Sequence, residues 1–156
     1  FLVDMAALFE LFVAEWLRTH LPPSLSLHVQ KNRQIGAAGK VSFRVDLVLS
    51  DEETGLPVYA LDTKYKLTDS PASDDVAQVV AYAEALGCNE AALIYPALRG
   101  AGFDERVGKI RVRTLAFDLD GDLEGAGELF LRQLLSVQRP SADLAAWRLA
   151  SRDEGG

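Results

Sequence analysis

Two strand-like runs separated by a short polar turn constrain this chain most. Val41 to Ser50 and Val58 to Lys66 are rich in β-branched and apolar residues, and Asp51 to Pro57, with Gly55 and Pro57, interrupts them. Such a pattern predicts a β-hairpin. A turn centred near Thr54 sets Asp46 opposite Asp62, and directly opposed residues have Cβ atoms about 4.5–5.5 Å apart. Lys64 follows two residues later and shares the face of Asp62. On this reading one face carries Arg44, Asp46, Val48, Ala60, Asp62, Lys64 and Lys66. The other carries Phe43, Val45, Leu47, Leu49, Tyr59, Leu61, Thr63, Tyr65 and Leu67. The hairpin is therefore expected to have one core face and one charged face.

Opposed carboxylates destabilise a strand pair unless a cation lies between them or one holds a proton. Mg²⁺, with Mn²⁺ as substitute, suits the pair, since it takes one or two carboxylates together with waters and phosphate oxygens. A neighbouring lysine can orient or deprotonate a water, or stabilise charge developing on a phosphate. The competing reading is a solvated face whose acids and bases simply pair.

Around the hairpin, periodicity predicts a mostly buried helix over Phe1–Thr19 with the stripe Met5, Phe9, Phe12 and Trp16, stopped by Pro22-Pro23. A weak strand follows over Ser26–Lys31, then a loop over Gln34–Gly39. After the hairpin come a helix over Val76–Leu86 closed by Gly87, and a strand over Glu90–Tyr95. A loop over Arg99–Gly108 leads to a strand over Lys109–Leu119, a helix from about Glu128 to Val137, and a last short helix over Asp143–Ala150. The expected fold is α/β: a mixed central sheet flanked by helices, in the order αβββαββα. Residues 1–150 read as a single domain, a C-terminal piece of a longer chain, and 151–156 as a frayed tail.

Composition narrows the function classes. One cysteine, Cys88, excludes a disulfide framework or a cysteine-built zinc or iron–sulfur site, suggests a reducing cytoplasmic setting, and reads as a buried filler. No apolar run is long enough to span a membrane. The net charge of −7 argues against a chain that grips nucleic acid unaided. His20 and His28 are isolated. Arg33, Lys40, Arg44 and Lys66 are weak candidates for a phosphate track, as are Arg99, Arg106, Lys109, Arg111 and Arg113. Tyr65 could also touch DNA.

Val45-Asp46 followed after a turn by Asp62-Thr63-Lys64 resembles the signature of the PD-(D/E)XK nuclease superfamily, with Val45 in place of its proline. Gln78 and Tyr82 form a Gln-x-x-x-Tyr pattern on one face of the following helix, similar to RecB-like members. Glu10, set among Ala6, Ala7, Val13 and Ala14, matches the acidic residue that the first helix often contributes to the metal site in that superfamily. The wording around Leu8 to Val13, Phe43 to Leu49, Leu61 to Tyr65 and Gln78 to Ala83 resembles McrC, the nuclease subunit family of McrBC-type 5-methylcytosine-dependent restriction systems.

The resemblance implies a Mg²⁺-dependent endonuclease domain acting on double-stranded DNA. Asp46, Asp62 and Lys64 would be catalytic. Asp46, Asp62 and Glu10 would hold metal, and Gln78 and Tyr82 would support the site. It also implies a separate McrB-like GTPase motor subunit, since this sequence contains no G-x-x-x-x-G-K-[ST] loop. A RecB-like repair nuclease and an inactive, partner-regulating subunit are the alternatives.

Overall fold

The computed structural model describes the backbone of residues 4–35, 41–100 and 102–136, and their side chains apart from those of residues 30–45. Among the described residues the elements follow in the order α1 (Met5–His20), β1 (Leu25–Ile35), β2 (Val41–Asp51), β3 (Pro57–Thr63), α2 (Ser73–Leu86), β4 (Glu90–Tyr95), β5 (Asp104–Val107), β6 (Ile110–Ala116) and α3 (Leu123–Leu134). The expected α/β architecture is present, with the four-residue strand β5 added inside the predicted Arg99–Gly108 loop. All four residues of β5 are exposed, so it has no apolar signal; its ladder with β6 alone defines it.

The sheet has the order β1-β2-β3-β4-β6-β5. The first three strands form an antiparallel meander, and β3, β4 and β6 run parallel. Parallel neighbours need crossover connections, which α2 provides between β3 and β4. Helix α2 is closed by Gly87 at φ 72°, the left-handed conformation in which glycine avoids the Cβ penalty. Among the described residues no helix is long and apolar enough to cross a membrane.

The hairpin register is as the turn predicts: Leu47 pairs with Leu61, Val48 with Ala60 and Leu49 with Tyr59. A bulge between Leu49 and Ser50 then shifts the ladder so that Ser50 meets Pro57. The expectation of one charged face is corrected. Leu47, Leu49 and Leu61 pack against α1 and α3, while Val48 and Ala60 are equally buried under α2 with Val79, Tyr82 and Ala83. Both faces of the hairpin are covered there, and Asp46, Asp62 and Lys64 stand where the strands reach the rim of α2.

Other boundaries move for physical reasons. β3 ends at Thr63 rather than Lys66, although the Lys64 N–H still donates to the Ile94 carbonyl at 2.8 Å. β1 extends through Ile35 because β2 offers partners that far. α1 begins after Asp4, whose carboxylate accepts from the Ala7 N–H at 3.0 Å and caps the helix. It is not buried all round: Met5, Leu8 and Leu11 are exposed, while Phe9, Val13, Trp16 and Leu17 enter the core. α3 starts five residues ahead of expectation, capped by Asp122. The predicted helix Asp143–Ala150 and the tail 151–156 lie outside the described residues.

Candidate active site

β3 supplies the centre of the site. It alternates sides, so Ala60 and Asp62 face α2 while Leu61 faces α1. Asp62 is only 2% exposed, a position a carboxylate seldom occupies without partners. The ladder continued one step beyond Leu47 and Leu61 sets Asp46 beside it. The two carboxyl groups stand close enough to interact, and a hydrogen bond between them needs a proton on one of the two. Burial, then that hydrogen bond, then the charges of Asp62 and Glu10 push the Asp46 carboxyl up to about 8, against the opposing pull of Lys64.

Lys64, just past the end of β3, completes the centre. Its ammonium lies 3.0 Å from Asp62 Oδ2, a contact of ion-pair length, and that buried oxygen has no other hydrogen-bond partner among the described residues. The same ammonium donates to Gln78 Oε1 at 3.1 Å and stands 3.6 Å from Asp75 Oδ1. Burial works against its charge, but Asp62, Asp75 and Asp46 outweigh burial and hold its pKa above the ordinary lysine value. Lys64 is therefore suited to stabilising negative charge and poorly suited to removing a proton from water.

α2 closes one side of the centre. Gln78 and Tyr82, one turn apart, both reach it. Gln78 accepts from Lys64 and hydrogen-bonds Tyr82. The Tyr82 hydroxyl is raised above its usual pKa by burial and then by the charges of Asp62 and Asp46. Glu10 stands on α1, half-buried, near enough to influence Asp46. With Ala7, Leu11, Ala14, Arg18 and Val29 it lines a cleft of about 210 Å³.

Two groups escaped the sequence reading. Asp75, in the first turn of α2, meets both Lys64 and Lys66, the latter at 2.5 Å. Its spacing of three from Gln78 on the same helix was the available signal. Tyr95, at the end of β4, buries its hydroxyl with no hydrogen-bond partner among the described residues. Burial, then Asp75 and Asp62, push it up to about 12. Its alternation with Leu93 on a strand beside β3 would have placed it under α2.

The donor set can be tested against a divalent metal. Among the described residues, no three His, Cys, Asp or Glu side chains gather closely enough to make a closed metal cluster. Asp46 and Asp62 do form a converging pair, with one buried carboxylate oxygen accepting no hydrogen bond. Two carboxylates open to further ligands fit Mg²⁺, which keeps several waters and shares phosphate oxygens. They do not fit a fully protein-enclosed cation.

The basic candidates separate. Lys66 belongs to the site through Asp75. Arg33 and Arg44 lie on β1 and β2, with Arg33 opposite Phe43 and Arg44 opposite Asn32, but their side chains, and Lys40 entirely, fall outside the described residues. Arg111 and Arg113, weak candidates for a phosphate track, are buried and structural. Arg111 grips Asp104 with two bonds of 2.8 and 2.7 Å, and Arg113 donates to the Gln133 and Leu134 carbonyls at 2.6 and 2.7 Å, satisfying the open end of α3. Arg99, Arg106 and Lys109 are exposed. His20 stacks on Trp16 with ring centroids 3.9 Å apart, His28 is exposed, and Cys88 is buried as expected.

Comparison with known proteins bears on the same residues. No curated protein matches the chain. A chain from the refined half-complex of a tetradecameric assembly of Thermococcus gammatolerans McrB AAA+ hexamers with bound McrC superposes with a TM-score of 0.66 at 22% identity. The match covers 86% of this chain and 33% of that one, so it shows the fold and spans about a third of the longer chain. The family model for the McrBC 5-methylcytosine restriction system component matches residues 1–96 of the 156. That stretch holds Glu10, Asp46, Asp62, Lys64, Asp75, Gln78, Tyr82 and Tyr95. The chain belongs to the McrBC 5-methylcytosine restriction system component family.

Proposed function

We propose that this domain is the DNA-cutting module of an McrBC-type restriction system, a Mg²⁺-dependent endonuclease that hydrolyses phosphodiester bonds. The observation that carries the reading is the Asp46–Asp62 carboxylate pair, half-buried and buried in turn at the end of a central strand and set against the Lys64 ammonium. Proteins do not keep two facing carboxylates at the end of a central strand for stability. Asp46 and Asp62 hold the metal, with Glu10 adding negative charge from α1. The metal, when bound, supplies an activated water and a counter-charge for the phosphate. Lys64 stabilises the charge that develops on the phosphate oxygens. Gln78 orients Lys64, and Tyr82 orients Gln78.

The net charge of −7 leaves DNA capture to other parts of the assembly. A separate McrB-like GTPase motor fits that need, because this sequence has no phosphate-binding loop of its own and its fold matches a chain from an assembly of McrB hexamers with McrC. Double-stranded DNA is the substrate, cut internally; strict dependence on a free end would instead favour a RecB-like exonuclease.

Calorimetric titration with Mn²⁺ tests the metal site directly. The protein is expected to bind Mn²⁺, and Asp46→Ala to bind at least about tenfold more weakly, a loss of about 1.4 kcal/mol. No binding by the unsubstituted protein would favour a nuclease-fold subunit that only regulates a partner.

A further inference from the structure

We infer that Asp75 is a positioning residue for the proposed cleavage reaction, holding the Lys64 ammonium against Asp62 by tying down both lysines that follow β3. The inference rests on the nuclease reading above and concerns a residue outside the signature.

The geometry is specific. Lys64 and Lys66 follow the last residue of β3; the Lys64 N–H is still bonded to the Ile94 carbonyl, but no ladder bond fixes the two long side chains. Both side chains turn towards α2, and both find the same carboxylate: Asp75 Oδ1 at 3.6 Å from Lys64 Nζ and Oδ2 at 2.5 Å from Lys66 Nζ. Asp75 is well shielded, its side chain 16% exposed, whereas Lys66 remains 45% exposed. Lys64 thus sits in a three-point cradle of Asp62, Gln78 and Asp75. A flexible four-carbon side chain carries about 2 kcal/mol of rotamer entropy. A cradle fixed by a strand end and by two helical residues three apart restricts that freedom before substrate arrives.

The competing explanation is that Asp75 merely favours the positive end of the α2 dipole. Asp74 supplies the control. It occupies the same first turn, is exposed, and makes no ion pair among the described residues. Neutralising either residue removes one favourable charge from the helix terminus, but only Asp75 touches the lysines.

Plasmid cleavage by the full chain with its motor partner, under saturating DNA, should separate the two. Asp75→Asn is expected to lower kcat about tenfold with KM within twofold. Asp75→Glu should recover most of that loss, and Asp74→Asn should leave cleavage unchanged. Mn²⁺ affinity, measured by calorimetry, should be the same in Asp75→Asn and the unsubstituted protein. Equal kcat losses for Asp74→Asn and Asp75→Asn would reduce the role to the helix terminus. A weaker Mn²⁺ site in Asp75→Asn would make Asp75 a metal ligand instead. Lys64→Ala distinguishes the levels: if it cuts normally, the nuclease reading itself fails. If it is inactive while Asp75→Asn cuts at full rate, only the present inference fails.

Discussion

Replacing Asp46 by asparagine is expected to stop DNA cleavage and, in the same protein, to raise its thermal stability in EDTA. The loss of cleavage should be at least about 100-fold, the scale reached when a single preorganised group at a reacting centre is removed, and plasmid nicking in Mg²⁺ reads it. The stability gain has a separate cause. The Asp46 carboxyl, held at about 8 in the folded protein, is at about 3.8 when unperturbed. The folded state therefore binds a proton that the unfolded state releases, and stability falls as pH rises from about 4 to 8. Asparagine preserves the shape and hydrogen-bonding ability of the side chain without the charge. The variant should thus lose much of that pH dependence and melt higher than its parent at pH 8. Relief of one cross-strand repulsion is worth up to about 1 kcal/mol, and about 2–4 °C for a chain of this size. Lower melting of Asp46→Asn at pH 8 would show that the pair is not strained, and active Asp46→Asn would remove the carboxylate from the reaction.

The second large effect lies in the core, where α3 crosses α1. Gly127 faces the Trp16 indole so closely that a methyl group in place of its hydrogen would overlap the ring. The indole is packed among other rings. It meets Phe117 edge-on at 5.3 Å, Phe130 at 6.3 Å, and carries His20 stacked on its face. Alanine is about 1 kcal/mol better than glycine within a helix, so Gly127→Ala pits local propensity against overpacking. Overpacking a full core costs about 1–3 kcal/mol and occasionally more. Here the obstacle is a rigid ring wedged on three sides, and the net loss should reach about 2 kcal/mol, or about 4–8 °C in melting temperature. Gly125→Ala is the contrast, since its methyl would meet only the movable carboxylate of Asp122. Its effect should stay within about 1 kcal/mol of neutral. A Gly127→Ala protein that melts at or above its parent would mean that α3 can shift freely on α1.

Gly127 also explains part of what the sequence hides. Two glycines, Gly125 and Gly127, interrupt the apolar pattern at the start of α3 and delay the expected start to Glu128. In the fold Gly127 is a contact surface rather than a break, and that follows only from the position of Trp16, more than a hundred residues earlier. The hairpin behaves oppositely. Its turn lies within the segment, so the register that sets Asp46 beside Asp62 could be read locally. Gln78 and Tyr82 were likewise legible because helical spacing is a local property. The apolar half of the second hairpin face was misjudged because α2, not the hairpin, decides what covers Val48 and Ala60. Arg111 and Arg113 were misjudged for the same reason: their partners, Asp104 and the end of α3, come from other elements. Asp75 lay in plain view as a helix-terminal acid, and only the approach of the two lysines that follow β3 gives it a further meaning.

β3 is the strand at which the antiparallel half of the sheet gives way to the parallel half, and it has a neighbour on either side. Asp62 is its penultimate residue, and the Lys64 N–H beyond it is still bonded to β4. A group anchored there cannot be loosened by fraying of a loop or an edge; the amides of β3 open only when the core opens. Amide exchange at Leu61 and Asp62 should accordingly be among the slowest in the chain. On heating, cutting activity should persist until global unfolding and vanish with it.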